Sequence, residues 1–134
     1  MRRNLVDYAT LNARQQEAYN FHKVAARLAD FGYMSALLSD DYGGADFLAI
    51  HVDGEVMKVQ LKGRFTIDRK YLGKGLHVAF RMGDEIVLYD HDVAVARLTE
   101  AGKFVHTASW QKRGLYHVAP FPGWARETFA DCFL

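Results

Sequence analysis

Two apolar runs, Ala45 to His51 and Glu55 to Lys62, flank the turn Val52-Asp53-Gly54, and this feature constrains the chain more than any other. Asp-Gly between alternating apolar residues is a strong local signal for a β-hairpin. Two registers compete. A two-residue loop pairs Val52 with Glu55 and sets Asp46 opposite Leu61, turned away from Gln60 and Lys62. A three-residue loop, with Gly54 in the left-handed position of a bulge, pairs His51 with Glu55 and sets Asp46 opposite Gln60. It also gathers Ala45, Phe47, Ala49, Met57, Val59 and Leu61 on one apolar face. A slip of one residue reverses every side chain. The bulged register is expected, because it separates apolar from polar residues.

A helix is predicted from about Leu11 to Phe31, opened by a capping box of Asn12 and Gln15 and stopped at Gly32. Its apolar stripe is Phe21, Val24, Leu28 and Phe31. At about 100° per residue, Glu17 falls within that stripe, on the side expected to be buried. Acids on a buried side are rarely left unpaired, so Glu17 is a candidate functional group. Ser39-Asp40-Asp41-Tyr42-Gly43-Gly44 reads as an acidic loop leading into the hairpin. Arg64 to Gly75 reads as a loop or a short irregular helix around Asp68–Leu72. A second hairpin is predicted from Leu76–Arg81 and Glu85–Tyr89, turning at Met82-Gly83-Asp84. A helix from about Asp92 to Ala101 follows, with Asp90 or His91 near its cap, and a short helix comes after Pro122. This order predicts a single α/β (α+β) domain with a small mixed sheet flanked by helices, its core about residues 11–101 and a C-terminal extension at 102–134.

Charge is unevenly spread. Leu28–Met57 holds six acids and no Lys or Arg, whereas Lys58–Arg81 holds seven bases against Asp68 alone. An acidic segment followed by a basic one suits cation binding beside anion binding, and equally suits solvated loops and strand edges. The six histidines lack metal-ligand spacing, and the glycines at 43–44 and 73–75 lack the P-loop pattern. The single Cys132 allows no internal disulfide and reads as structural. With no signal-like N-terminus and no apolar run near the roughly 18 residues of a membrane span, a cytoplasmic setting is expected.

In the bulged register, a carboxylate (Asp46), an amide (Gln60) and an ammonium (Lys62) meet at one end of the hairpin, beside Asp40 and Asp41. Mg²⁺ is commonly held by one or two carboxylates together with substrate phosphate and water. An adjacent Lys can stabilise charge developing on a phosphate. Spacing alone also fits an ordinary polar strand face.

Glu17 on the N-terminal helix, Asp46, the gap of thirteen residues and Gln60-Leu61-Lys62 resemble the PD-(D/E)XK, or restriction-endonuclease-like, nuclease superfamily. They are most similar to its Q-x-K variant, found in intron-encoded homing endonucleases, and less closely to the Holliday-junction resolvases. The resemblance spans Leu11 to roughly Tyr89 and implies a restriction-endonuclease-like core. It departs from the family pattern in having Ala45 before Asp46 where the motif has Pro, and Gln60 where most members have an acid. Glu17 or Asp41 would supply the missing negative charge.

The resemblance implies Mg²⁺- (or Mn²⁺-) dependent hydrolysis of DNA phosphodiester bonds. Asp46 and Glu17 would hold the metal, Gln60 would orient metal or water, and Lys62 would polarise the nucleophile. Arg64, Arg69, Lys70 and Lys74 would grip the DNA backbone, making affinity steeply salt-dependent. Trp110 and Tyr116 are expected to cover the core. One such site cuts one strand, so double-strand cleavage implies a homodimer or higher homo-oligomer. The alternatives are a catalytically inactive nucleic-acid-binding module with this fold and a protein-interaction domain.

Overall fold

The computed structural model describes residues 1–134. Helix α1 spans Ala13–Ala29. Its capping box is formed as expected: Asn12 Oδ1 accepts from Gln15 N at 2.9 Å, and Gln15 Oε1 accepts from Asn12 N at 3.0 Å. The helix ends two residues before Phe31, which is 47% exposed, so the buried stripe is Phe21, Val24 and Leu28.

Gly32 then turns the chain into β1 (Tyr33–Tyr42), a strand absent from the sequence reading. It absorbs Ser39–Tyr42, so the expected acidic loop contracts to the two-glycine turn Gly43-Gly44 before β2 (Ala45–His51). The expected register of β2 with β3 (Val56–Lys62) is present: Ile50 pairs with Val56, Ala49 with Met57, Leu48 with Lys58 and Phe47 with Val59. His51 N donates to Glu55 O at 2.8 Å, and Gly54 has φ 102°, as a bulged three-residue loop requires.

Between β3 and the next strand of the sheet, Arg64–Gly75 is more ordered than a loop. Phe65–Asp68 forms β4, wholly buried, and Arg69–Tyr71 forms a 3₁₀ turn. Strands β5 (Leu76–Met82) and β6 (Glu85–Asp90) make the second expected hairpin. Asp90 is the N-cap of α2 (His91–Glu100), its carboxylate accepting from Val93 N at 3.0 Å. The chain ends with α3 (Ala108–Arg113), β7 (Leu115–Val118) and α4 (Gly123–Thr128) after Pro122.

The main sheet has the order β1-β2-β3-β5-β6 and is mixed: β3 and β5 run parallel, and the other neighbours are antiparallel. The 63–75 crossover carries no α-helix. It lends β4 to a separate antiparallel pair with β7. The chain is thus a mixed α+β fold whose five-stranded sheet is flanked by helices.

Alternation divides the core into two layers. On one face Phe47, Ala49, Met57, Val59, Ala79 and Ile86 meet the α1 stripe. On the other, Val78, Phe80, Val87 and Tyr89 meet Ala94 and Leu98 of α2, Phe65 and Ile67 of β4, and Phe104, Phe121 and Phe129. Residues 102–134 are therefore integral to the largest apolar cluster, rather than an extension of it. Trp110 and Tyr116 pack against that cluster, as expected. Buried Tyr89 ties the two sheets together: its hydroxyl accepts from Thr66 N at 3.0 Å and donates to Thr66 O at 2.8 Å. Burial pushes its ionisation far above the usual range, which keeps the donating proton in place.

Candidate active site at the open end of the hairpin

The β2–β3 ladder ends at Phe47–Val59, one step short of Asp46. Were it continuous, Leu61 N would face Ala45 O. Instead it donates to Asp46 Oδ2 at 2.7 Å. The carboxylate of Asp46 thus takes the place of a strand carbonyl.

The expected single apolar face is broken at this point. Phe47 packs edge-on against Phe21 of α1, with ring centroids 5.2 Å apart, whereas Ala45 joins Tyr71 and Leu76 in a separate small cluster. Gly43 (φ 61°) and Gly44 (φ 91°) make the tight entry possible. Gly44 lies so close to the Tyr71 ring that a Cβ would sit 2.8 Å from it.

Asp46 borders an open cleft of about 460 Å³ between α1 and the β1–β2 turn, with Arg14, Glu17, Asp40, Asp41 and Leu61 among its walls. Glu17 lies on the stripe side of α1, as its helical phase predicts, but it is exposed rather than buried. The first turns of α1 overhang the cleft instead of the sheet, so the phase is right and the depth is not.

Asp46 is half-buried, and burial raises its pKa above the usual carboxylate value. The Leu61 hydrogen bond opposes this, the charge of Glu17 adds to it, Lys62 lowers it, and Asp41 raises it. Asp46, Glu17 and Asp41 line one cleft, whereas Lys62 acts on Asp46 through space and does not line it.

Gln60 is drawn elsewhere. Its Nε2 donates to the Tyr71 hydroxyl at 2.6 Å, and it does not line the cleft. Its Oε1 is shielded from solvent and has no hydrogen-bond partner. Lys62 is half-buried, with Nζ 5.6 Å from the Tyr71 ring centre. The tyrosine therefore contacts both conspicuous polar residues of the Q-x-K segment. Spacing along the chain gives no sign of it, because Tyr71 arrives through the crossover.

The four candidate DNA contacts are all exposed but differ in freedom. The Arg69 guanidinium donates to Trp110 O at 2.8 Å and lies 5.0 Å from the Trp110 ring centre, so it straps the 3₁₀ turn to α3. Lys70 Nζ stands 3.6 Å from Asp68 Oδ2. Lys70 and Lys74 open onto one shallow pocket. Arg64 lies near Lys62 and His117, whose pKa is lowered by burial first and then by these two cations.

No group of three or more His, Cys, Asp or Glu side chains is disposed to hold a metal ion. Asp46 and Glu17 line the same cleft, and two carboxylates are the donor chemistry that Mg²⁺ completes with water and substrate phosphate rather than an all-protein cage. The chain matches no family model, no curated protein and no solved structure. The reading of this site therefore stands on its own residues.

Arg14 and Lys58 are two residues the sequence reading passed over. Arg14 lies three positions before Glu17, on the same helix face, and Lys58 continues the period-two series of Gln60 and Lys62. Periodicity would have pointed to both.

Proposed function

We propose that the protein is a Mg²⁺-dependent DNA endonuclease, with a restriction-endonuclease-like site at the open end of the β2–β3 hairpin. The observation that carries this reading is the Asp46 carboxylate, fixed by Leu61 N at the ladder's end and facing an open cleft that Glu17 also lines. The bond to Leu61 N gives one carboxylate oxygen a structural use, but half-burying the charge near two other acids carries a cost. A cation-binding role accounts for the arrangement.

Asp46 and Glu17 would hold Mg²⁺, which when bound supplies Lewis-acid stabilisation of phosphoryl oxygens. Lys62 would stabilise charge on the pentavalent phosphate and favour ionisation of the attacking water. Gln60, held by Tyr71 outside the cleft, would act only by supporting the strand that carries Lys62. Arg64, Lys70 and Lys74 would position the backbone, with Arg69 bracing them from behind. Mn²⁺ would serve in place of Mg²⁺, and double-strand cutting would require a second copy of the chain.

A second reading is favoured by the missing third metal ligand and by Gln60's bond to Tyr71: a nucleic-acid-binding module that keeps the fold and does not cut. End-labelled linear and branched duplexes, incubated with Mg²⁺, Mn²⁺ or EDTA, separate the two. Metal-dependent cleavage supports the endonuclease. Salt-sensitive binding without cleavage under any metal supports the module.

A further inference from the structure

Beside the cleft lies a second, shallower pocket of about 370 Å³, walled by Gly43, Gly44, Tyr71, Lys70, Lys74 and Asp41. Asp41 borders both cavities, so they are neighbours. Its Oδ1 accepts from Gly44 N at 3.1 Å, which turns that oxygen to a structural use. Lys58 reaches the same place. Its Nζ donates to Lys74 O, and a Cβ added at Gly43 or Gly75 would lie 3.9 Å from it. Its ammonium therefore stands between two glycine turns. Both glycines have left-handed backbone, Gly43 at φ 61° and Gly75 at φ 62°, and neither carries a side chain to cover the ammonium.

Lys70 and Lys74 thus line a concave, side-chain-poor wall, and the Lys58 ammonium stands at its glycine edge. Cationic side chains beside left-handed glycine backbone make a concavity that suits an anion.

We infer that Lys58, Lys70 and Lys74 form a subsite for one phosphate of a nucleic-acid backbone, adjacent to the phosphate presented at Asp46. The choice of a nucleic acid rests on the endonuclease reading. The anion-binding chemistry does not. Tyr71 links the two places, since it lines the pocket and also holds Gln60. Occupancy of the subsite would register the strand on the cleft without reading its sequence.

Binding in EDTA keeps this test independent of cutting. The anisotropy of a labelled duplex is measured across about 50 to 200 mM salt for wild type, Lys58→Ala, Lys74→Ala and Lys74→Arg, with Lys23→Ala on α1 as control. Each Ala variant at the subsite is expected to lower the slope of log affinity against log salt, with about 0.9, the value of one phosphate contact on duplex DNA, as the upper limit. Lys74→Arg and Lys23→Ala should keep the wild-type slope. If Lys58→Ala disturbs folding, Lys74→Ala decides, because the backbone carbonyl that Lys58 uses remains.

In a second arm, inorganic phosphate is titrated while the amide resonances of Gly43, Gly44 and Gly75 are followed. Shifts at these glycines with both phosphate and duplex support the subsite. Shifts with phosphate alone would overturn the assignment to a nucleic-acid backbone. Unchanged slopes together with silent glycines would overturn the subsite itself, leaving the reading of the Asp46 cleft untouched.

Discussion

Asp46 Oδ2 accepts the Leu61 amide proton at 2.7 Å at the point where strands β2 and β3 cease to pair. One side chain thereby closes the ladder and presents a carboxylate to an open cleft. Both consequences can be measured.

Because burial and the neighbouring acids raise the pKa of Asp46, its ionised form costs stability in the metal-free protein. Asp46→Asn keeps an acceptor for Leu61 N and removes the charge. It is expected to melt higher than wild type at neutral pH. As pH falls through the raised Asp46 pKa, the folded wild type takes up its proton before the unfolded chain does, and the gap closes. Added Mg²⁺ should raise the melting temperature of wild type by mass action and leave Asp46→Asn unmoved. Thermal melts across pH, with and without metal, test both statements.

Gly44 is the hinge of this geometry. A side chain there would face a φ of 91° and a Cβ contact of 2.8 Å with Tyr71. Gly44→Ala is expected to cost about 2–3 kcal/mol by chemical denaturation, from backbone strain and displacement of the ring. Tyr71→Phe should fold well and release Gln60, whose Nε2 would lose its 2.6 Å partner.

The Asp-Gly hairpin was legible because Ala45–Lys62 is dense in alternating residues that permit one sensible register. Strand β1 was not. Its apolar residues Met34, Leu37 and Tyr42 are more than half exposed, its pairing shifts between Leu37 and Tyr42, and its acidic end resembles a turn. Glu17 shows the same limit on the helix: periodicity gives the side of α1 that it occupies, but not how far the sheet extends beneath it. The partnership of Gln60 with Tyr71 depends on how the crossover folds back, which no spacing encodes.

That crossover also makes the C-terminal quarter indispensable. Phe65 stacks on Tyr89 at 4.7 Å between ring centroids, with Phe129 at 4.9 Å and Phe121 at 5.5 Å. Phe129→Ala is expected to cost about 3–5 kcal/mol, as for other buried aromatics. A chain ending at Ala101 should fail to fold. Denaturant titration and the dispersion of amide resonances report these outcomes.

Asp131 holds the final turn to α2 through a bidentate pair with Arg97, at 2.6 and 2.7 Å. The pairing pulls the Asp131 pKa down to about 2. Its contribution to stability is present above the ordinary carboxylate pKa and is lost as pH falls from about 4 towards 2. Being exposed, the pair should be worth no more than about 1 kcal/mol. Asp131→Asn is therefore expected to lie slightly below wild type in stability at pH near 6 and to converge with it in acid.

The most direct test of the account is nicking of supercoiled plasmid by wild type, Asp46→Ala and Lys62→Ala, each in Mg²⁺ and in EDTA. The expected result is conversion to open circles by wild type in Mg²⁺ alone, with both variants folded and inactive. Cutting that survives in EDTA, or in a folded Asp46→Ala variant, would contradict the claim that the end of the hairpin ladder is a metal-dependent nuclease site. So would a wild type that leaves the plasmid intact.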